Sequence, residues 1–151
     1  MKISDLGFVS NGMAVAANSP ASLKMMFSVD EALAQDELSF TQWEMFSLAV
    51  SQANNCKYCL SAHSELCSIA PEFESTNIIR ARLCEADDPK DQAMLGLAVA
   101  IVEQREELPG RLSESARKSG LSDSTVIEII SSVISVMYGI YANHMAKTDI
   151  D

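Results

Sequence analysis

Along this chain apolar residues recur at intervals of three and four far more often than they alternate, which is the period of helices packed on one face rather than of strands. Only 4 prolines and 6 glycines interrupt that pattern. The first helix is predicted over residues 20–34, with Ser19 as its cap and Pro20 at the first helical position, where no amide hydrogen is needed. Its core face would carry Leu23, Met26, Phe27 and Leu33. A second helix opens at Ser39, because Gln42 three residues later completes a reciprocal cap, and its apolar stripe reads Trp43, Phe46, Val50 and Ala53. Asn54 and Asn55 compete for backbone hydrogen bonds and break the helix, so a third is expected from near Cys56 to Ile69.

Pro71 is expected to open a fourth helix bearing Ile78, Ile79 and Leu83, closed by the stretch from Glu85 to Pro89. A fifth follows over residues 91–107 and ends at Pro109 and Gly110. A short one over 114–118 stops at Gly120, and a last long helix begins after the capping Ser122. Val126, Ile129, Ile130, Val133, Ile134 and Met137 would form its buried face. The expectation is an all-α bundle of six to seven helices in one domain over 1–151, with 1–19 as an N-terminal extension. Leu38-Ser39 leading to Glu44, Ser47 and Ser51 echoes Leu121-Ser122 leading to Glu128, Ser131 and Ser135, which leaves a degenerate duplication and coincidence both open.

With 151 residues, 48% of them hydrophobic, the chain can bury one good core and is short for two. Its formal net charge of −10 argues against a nucleic-acid partner or an anionic membrane surface, since both need clustered cations. The first thirteen residues carry one lysine and are broken by Asp5, Gly7 and Asn11, so they lack the apolar stretch of an export signal. The run from Leu95 to Val102 is about a third of a membrane span. A soluble, cytoplasmic protein is therefore expected, and in that compartment 4 cysteines read as catalytic or metal-binding thiols before they read as a structural framework.

The informative segment runs from Glu44 to His63: eleven residues separate Glu44 from Cys56-Lys57-Tyr58-Cys59, and His63 comes four after Cys59. Positions i, i+3 and i+7 share a helix face, so Cys56, Cys59 and His63 form one line of reactive groups. Two cysteines this close at a helix start can form a disulfide, and the free amides and positive dipole end there favour a thiolate. His63 can hydrogen-bond to Cys59 and take its proton, the pairing needed for attack on a peroxide oxygen. Glu44 on the preceding helix would orient the histidine, because a carboxylate directly beside the thiolate would oppose ionisation. Attack by Cys59 would leave a sulfenic acid, Cys56 would condense it into a disulfide, and an external dithiol would reset the pair.

This pattern, with Leu38-Ser39, Trp43-Glu44 and Ala62-His63 around it, resembles the signature of alkylhydroperoxidase D-like proteins of the carboxymuconolactone decarboxylase family. The resemblance extends more loosely through Gly120-Leu121-Ser122 and Glu128 to Asn143-His144. It implies an AhpD-like helical fold and a thiol peroxidase acting on hydrogen peroxide or organic hydroperoxides in antioxidant defence. By position it implies that Cys59 is the peroxidatic cysteine, Cys56 the resolving one, and Glu44 with His63 the proton relay. It further implies no cofactor, a dihydrolipoyl or thioredoxin-type dithiol reductant, and a homo-oligomer, trimer or hexamer. Some members place a histidine between the cysteines; here Tyr58 stands there, which argues against a two-histidine mechanism. Related decarboxylases generally lack the cysteine pair.

Blander readings compete. Two cysteines one turn apart can be inert core residues. Cys67 extends the series by one more turn and invites a zinc site, but on a straight helix Cys56 and Cys67 lie about 16 Å apart, too far for one tetrahedral metal. Cys67 and Cys84 are expected to be buried small hydrophobes, His144 a helix-end or interface residue, and the acidic run from Glu85 to Asp88 solvated surface. Two alternatives to the peroxidase remain: a redox-sensing oligomer without significant turnover, and a decarboxylase-like enzyme using Glu44 and His63 for acid and base work.

Overall fold

A computed structural model describes residues 9–33, 38–71, 73–104 and 110–151. Among the described residues there are eight helices and no strands: α1 (Asn11–Ala16), α2 (Pro20–Leu33), α3 (Phe40–Ala53), α4 (Lys57–Ile69), α5 (Ser75–Arg82), α6 (Pro89–Gln104), α7 (Gly110–Lys118) and α8 (Asp123–Ala146). The helix beyond the expected seven is α1, inside the 1–19 extension. It starts where the Ser10 hydroxyl accepts the Met13 amide and it packs against α8 and α2.

The middle of the fold is α3. Its start is the reciprocal cap read from the sequence: Ser39 Oγ accepts the Gln42 amide at 3.2 Å, and the Ser39 amide donates to Gln42 Oε1 at 3.0 Å. Every residue from Glu44 to Ser51 is buried, because α4, α5, α6 and α8 surround the helix. The expected single stripe is therefore too narrow, and Ala53, assigned to it, is exposed at the last turn. Met94, Leu95, Leu97 and Ala98 of α6, with Ile129, Val133 and Ile140 of α8, pack into the same core.

Several expected core positions face outward. Phe27 is 47% exposed, since α2 packs chiefly on α1 and α8 among the described residues. Ile134 is 64% exposed on the outer face of α8, where Ile127 and Tyr141, seven residues to either side, are exposed too. Val136 and Ile140 are the buried residues there instead. Ile79 and Leu83 are also exposed. Pro71 does not open a helix: Ala70 before it takes the extended conformation that a following proline imposes, ending α4, and α5 begins only at Ser75. Helix α6 starts at Pro89, two residues before the expected 91; its expected end at 107 and Pro109 lie outside the described residues. Gly110 begins α7, which is four residues longer than expected at its start. Gly120, at φ +89°, makes the turn that ends it.

The serine echo stops at the caps. Ser47 and Ser51 are fully buried, whereas Ser131 on α8 is exposed. Among the described residues α8 has the length and composition of a membrane-crossing helix. Six other helices pack against it.

Candidate active site

Asn54 and Asn55 end α3 as expected, Asn55 by taking a left-handed conformation at φ +53°. That single residue lets the chain reverse, so that the Cys56 amide donates back to the Ser51 carbonyl at 3.0 Å and α4 starts beside α3. Cys56 is the N-cap of α4, and its sulfur faces the Cys59 amide at 3.3 Å. Cys56 and Cys59 are joined in a disulfide with their Cα atoms 5.3 Å apart. Cys56 is fully buried and Cys59 is 6% exposed. The head of α4 therefore presents the Cys59 amide to the Cys56 sulfur, and this helix end favours a thiolate once the bond is reduced.

One turn on, His63 meets Glu44 of α3, with Nδ1 2.8 Å from Glu44 Oε2. The carboxylate is buried and the imidazole side chain is 21% exposed. Burial works against a charged imidazole here, but the charge of Glu44 and its hydrogen bond outweigh it and hold the His63 pKa above its ordinary value. With Nδ1 taken by Glu44, Nε2 is the ring nitrogen left for proton exchange. The four predicted residues thus form two pairs, Cys56 with Cys59 and Glu44 with His63, and in this oxidised state His63 bonds to Glu44 and not to Cys59. A disulfide sulfur carries no proton to share.

The side chain that does meet Cys59 is Asn143, near the end of α8, whose Nδ2 donates toward Sγ at 3.8 Å. Sequence reasoning did not assign it a role. The signal available was the Asn143-His144 pair, but nothing local connects residue 143 to residue 59.

Tyr58, between the cysteines, points away from them. Its hydroxyl accepts the Gly12 amide at 2.8 Å and donates to Asp151 Oδ2 at 2.8 Å, and the other oxygen of Asp151 accepts the Asn11 amide. Burial, reinforced by Asp151, keeps the phenol neutral against the smaller opposing pull of Ser10 and Gly12. Tyr58 is thus a clasp that ties α1 and the C-terminal segment to the head of α4. Gly12 permits the close approach, since a Cβ there would lie 2.8 Å from the Tyr58 ring.

The two free cysteines are poorly placed for nucleophilic work. Burial, with the charge of Glu44, pushes the Cys67 thiol up to about 12. Cys84 is raised by burial and by Glu103. A cleft of about 220 Å³ lies beside the disulfide, lined by Asn55, Cys56, Lys57 and Tyr58 and by Asn143, His144, Lys147 and Thr148. His144 is exposed in the last turn of α8, as a helix-end residue, and also borders this cleft.

Residues 20–70 match the carboxymuconolactone decarboxylase family, a segment that holds Glu44, both bonded cysteines and His63. No curated protein matches the chain. Among solved structures, a peroxidase-related protein from Ralstonia eutropha with an alkylhydroperoxidase AhpD core is similar at a TM-score of 0.84 and 22% identity, over 98% of this chain and 80% of that one. A peroxidase-related protein from a Silicibacter species is similar at 0.79 and 21%, over 98% and 78%. The debrominase Bmp8 is similar at 0.82 and 17%, over 98% and 81%. At such identities the likeness is one of fold. The chain therefore has the AhpD-like helical fold and, over residues 20–70, is similar to the carboxymuconolactone decarboxylase family, with the Cys56–Cys59 disulfide set into that segment.

Proposed function

We propose that this protein is a cytoplasmic thiol peroxidase that reduces hydrogen peroxide or organic hydroperoxides through the Cys56–Cys59 pair. The observation that carries the reading is the disulfide at the head of α4 with the Glu44–His63 pair one turn away. In the reduced state His63 takes the proton of Cys59, and its raised pKa makes that transfer more favourable. The thiolate attacks one peroxide oxygen and the O–O bond breaks. The departing alkoxide or hydroxide recovers the proton from His63, leaving Cys59 as sulfenic acid. The Cys56 thiol then attacks that sulfur and water leaves, which gives the disulfide. A dithiol of dihydrolipoyl or thioredoxin type restores two thiols, so that one peroxide and one dithiol yield an alcohol, a water and an oxidised dithiol. No metal and no cofactor enters these steps.

Cys59 is assigned as the attacking sulfur because it is the more exposed of the pair and faces Asn143 Nδ2, a donor able to stabilise a thiolate. The seven-residue spacing of exposed Ile127, Ile134 and Tyr141 on α8 supports a homo-oligomer, trimer or hexamer, in which that stripe is covered. A single domain from α1 to the C-terminal segment belongs to the same reading. The test is peroxide consumption coupled to a dithiol. It should vanish in Cys59→Ser, and trapping should give a sulfenic acid adduct in Cys56→Ser but not in Cys59→Ser. Activity that survives Cys59→Ser ends the proposal, and activity retained with both cysteines replaced would favour acid and base work by Glu44 and His63.

A further inference from the structure

Half of the serine echo has no part in the steps above. Ser47 and Ser51 of α3 are fully buried, and neither hydroxyl has a hydrogen-bond partner. A serine inside a helix can ordinarily satisfy its hydroxyl on the carbonyl one turn back, as Ser131 of α8 does with Ile127 at 3.2 Å. Ser47 and Ser51 make not even that bond. Alanine at either position would be a better helix former and would leave no orphan hydroxyl, so two such serines on the central helix lower the stability of the oxidised protein. Buried groups of this kind call for a chemical reason.

Their position supplies one. Glu44, Ser47 and Ser51 stand at i, i+3 and i+7 and share one face of α3. Two contacts fix where that face looks: Glu44 Oε2 meets His63 Nδ1 of α4 at 2.8 Å, and the Ser51 carbonyl accepts the Cys56 amide at 3.0 Å. Residue 44 therefore lies level with residue 63 and residue 51 with residue 56, the same interval on two neighbouring helices that run in opposite directions. Cys59, three residues past Cys56, falls level with residue 48, between Ser47 and Ser51. From α8, Asn143 Nδ2 faces Cys59 Sγ at 3.8 Å, and Asn143 Oδ1 is likewise buried without a partner. Unsatisfied polar atoms from two helices thus gather at the level of the disulfide. A disulfide sulfur is a weak acceptor, whereas a thiolate is a strong one.

We propose that the hydroxyls of Ser47 and Ser51 are donors kept for the reduced state: when the Cys56–Cys59 bond opens they turn onto the Cys59 thiolate, and because they are satisfied only then, they favour the reduced pair over the disulfide. The inference rests on the peroxidase reading for the choice of Cys59 as the sulfur that ionises. The step balances with a dithiol as reductant. Its two electrons break the S–S bond, its two protons pass to Cys56 and to His63, and it departs as a disulfide. Cys59 is left as a thiolate with Asn143 Nδ2 and the two hydroxyls as its donors. The effect is one-sided, since the same hydroxyls bond to nothing in the oxidised protein.

The test is the redox equilibrium of the whole protein. It is equilibrated anaerobically near neutral pH with mixtures of reduced and oxidised dithiothreitol, quenched with acid, alkylated and weighed by mass spectrometry. In the Ser47→Ala, Ser51→Ala double variant the equilibrium should move about tenfold toward the disulfide, a potential lower by about 30 mV, because the thiolate loses charge-assisted donors. Denaturant unfolding of each redox form gives a second readout. The oxidised double variant should match or exceed the midpoint of the oxidised parent, while the reduced double variant should fall below the reduced parent. An equilibrium within twofold of the parent's, or equal losses of stability in both redox forms, would overturn the proposal; equal losses are what serines with a purely packing role would give. The assay uses no peroxide, so an absent peroxidase activity beside an intact tenfold shift ends the peroxidase reading and leaves the role of the hydroxyls standing.

Discussion

Replacing Glu44 by Gln keeps the size of a buried side chain and removes the charge that holds the His63 proton. A hydrogen bond to a charged partner is worth about 1.5–3 kcal/mol, and about 1.4 kcal/mol corresponds to one pKa unit. The His63 pKa should therefore fall. Proton transfer from Cys59 to His63 depends on the difference between their pKa values, so the thiolate–imidazolium pair should become about tenfold to a hundredfold scarcer near neutral pH. The assay is the rate of Cys59 alkylation between pH 5 and 9 in a Cys56→Ser background. Cys67, held at about 12, and Cys84, also raised, stay protonated over most of that range and do not compete. The reactive limb should move to higher pH in Glu44→Gln. The oxidised protein offers an independent check. Because His63 has a folded pKa above its unfolded one, its pairing stabilises fully below about pH 6.5 and the benefit is lost as pH rises through the raised value. The stability gap between parent and Glu44→Gln should shrink accordingly as pH increases. Alkylation profiles that agree within twofold across the range would refute the role given to Glu44.

Asn143→Leu removes the donor facing Cys59 Sγ, so Cys59 should lose roughly tenfold in alkylation rate at neutral pH while the midpoint of thermal unfolding changes little; an unchanged rate would leave Asn143 with no part in the site. Gly12→Ala would ordinarily favour a helix by a few tenths to 1 kcal/mol, but a Cβ 2.8 Å from the buried Tyr58 ring reverses the sign. A loss of about 1–3 kcal/mol is expected, lowering the unfolding midpoint by several degrees in calorimetry, and a rise would show that α1 can slide off the ring. Ser39→Ala breaks the reciprocal cap of the central helix and should cost about 1 kcal/mol in denaturant unfolding with an unchanged slope.

What the sequence determined by itself was whatever depends on neighbours along the chain. The Ser39–Gln42 cap, the break at Asn54-Asn55 and the short Cys56-to-Cys59 separation that allows a disulfide are fixed over a turn or two, and each stands where the pattern put it, although Cys56 is the extended N-cap of α4 rather than a helical residue. Glu44 was legible as a carboxylate on the preceding helix with a reason to meet His63, but the meeting itself needs α3 and α4 to lie side by side. Tertiary structure alone decided the rest. Asn143 reaches Cys59 from 84 residues away, and Asp151 reaches Tyr58 from 93, distances over which no local period carries information. The outward faces of Phe27 and Ile134 follow the same logic. A hydrophobic period tells which residues share a side of a helix, whereas which side is buried depends on the other helices that pack there.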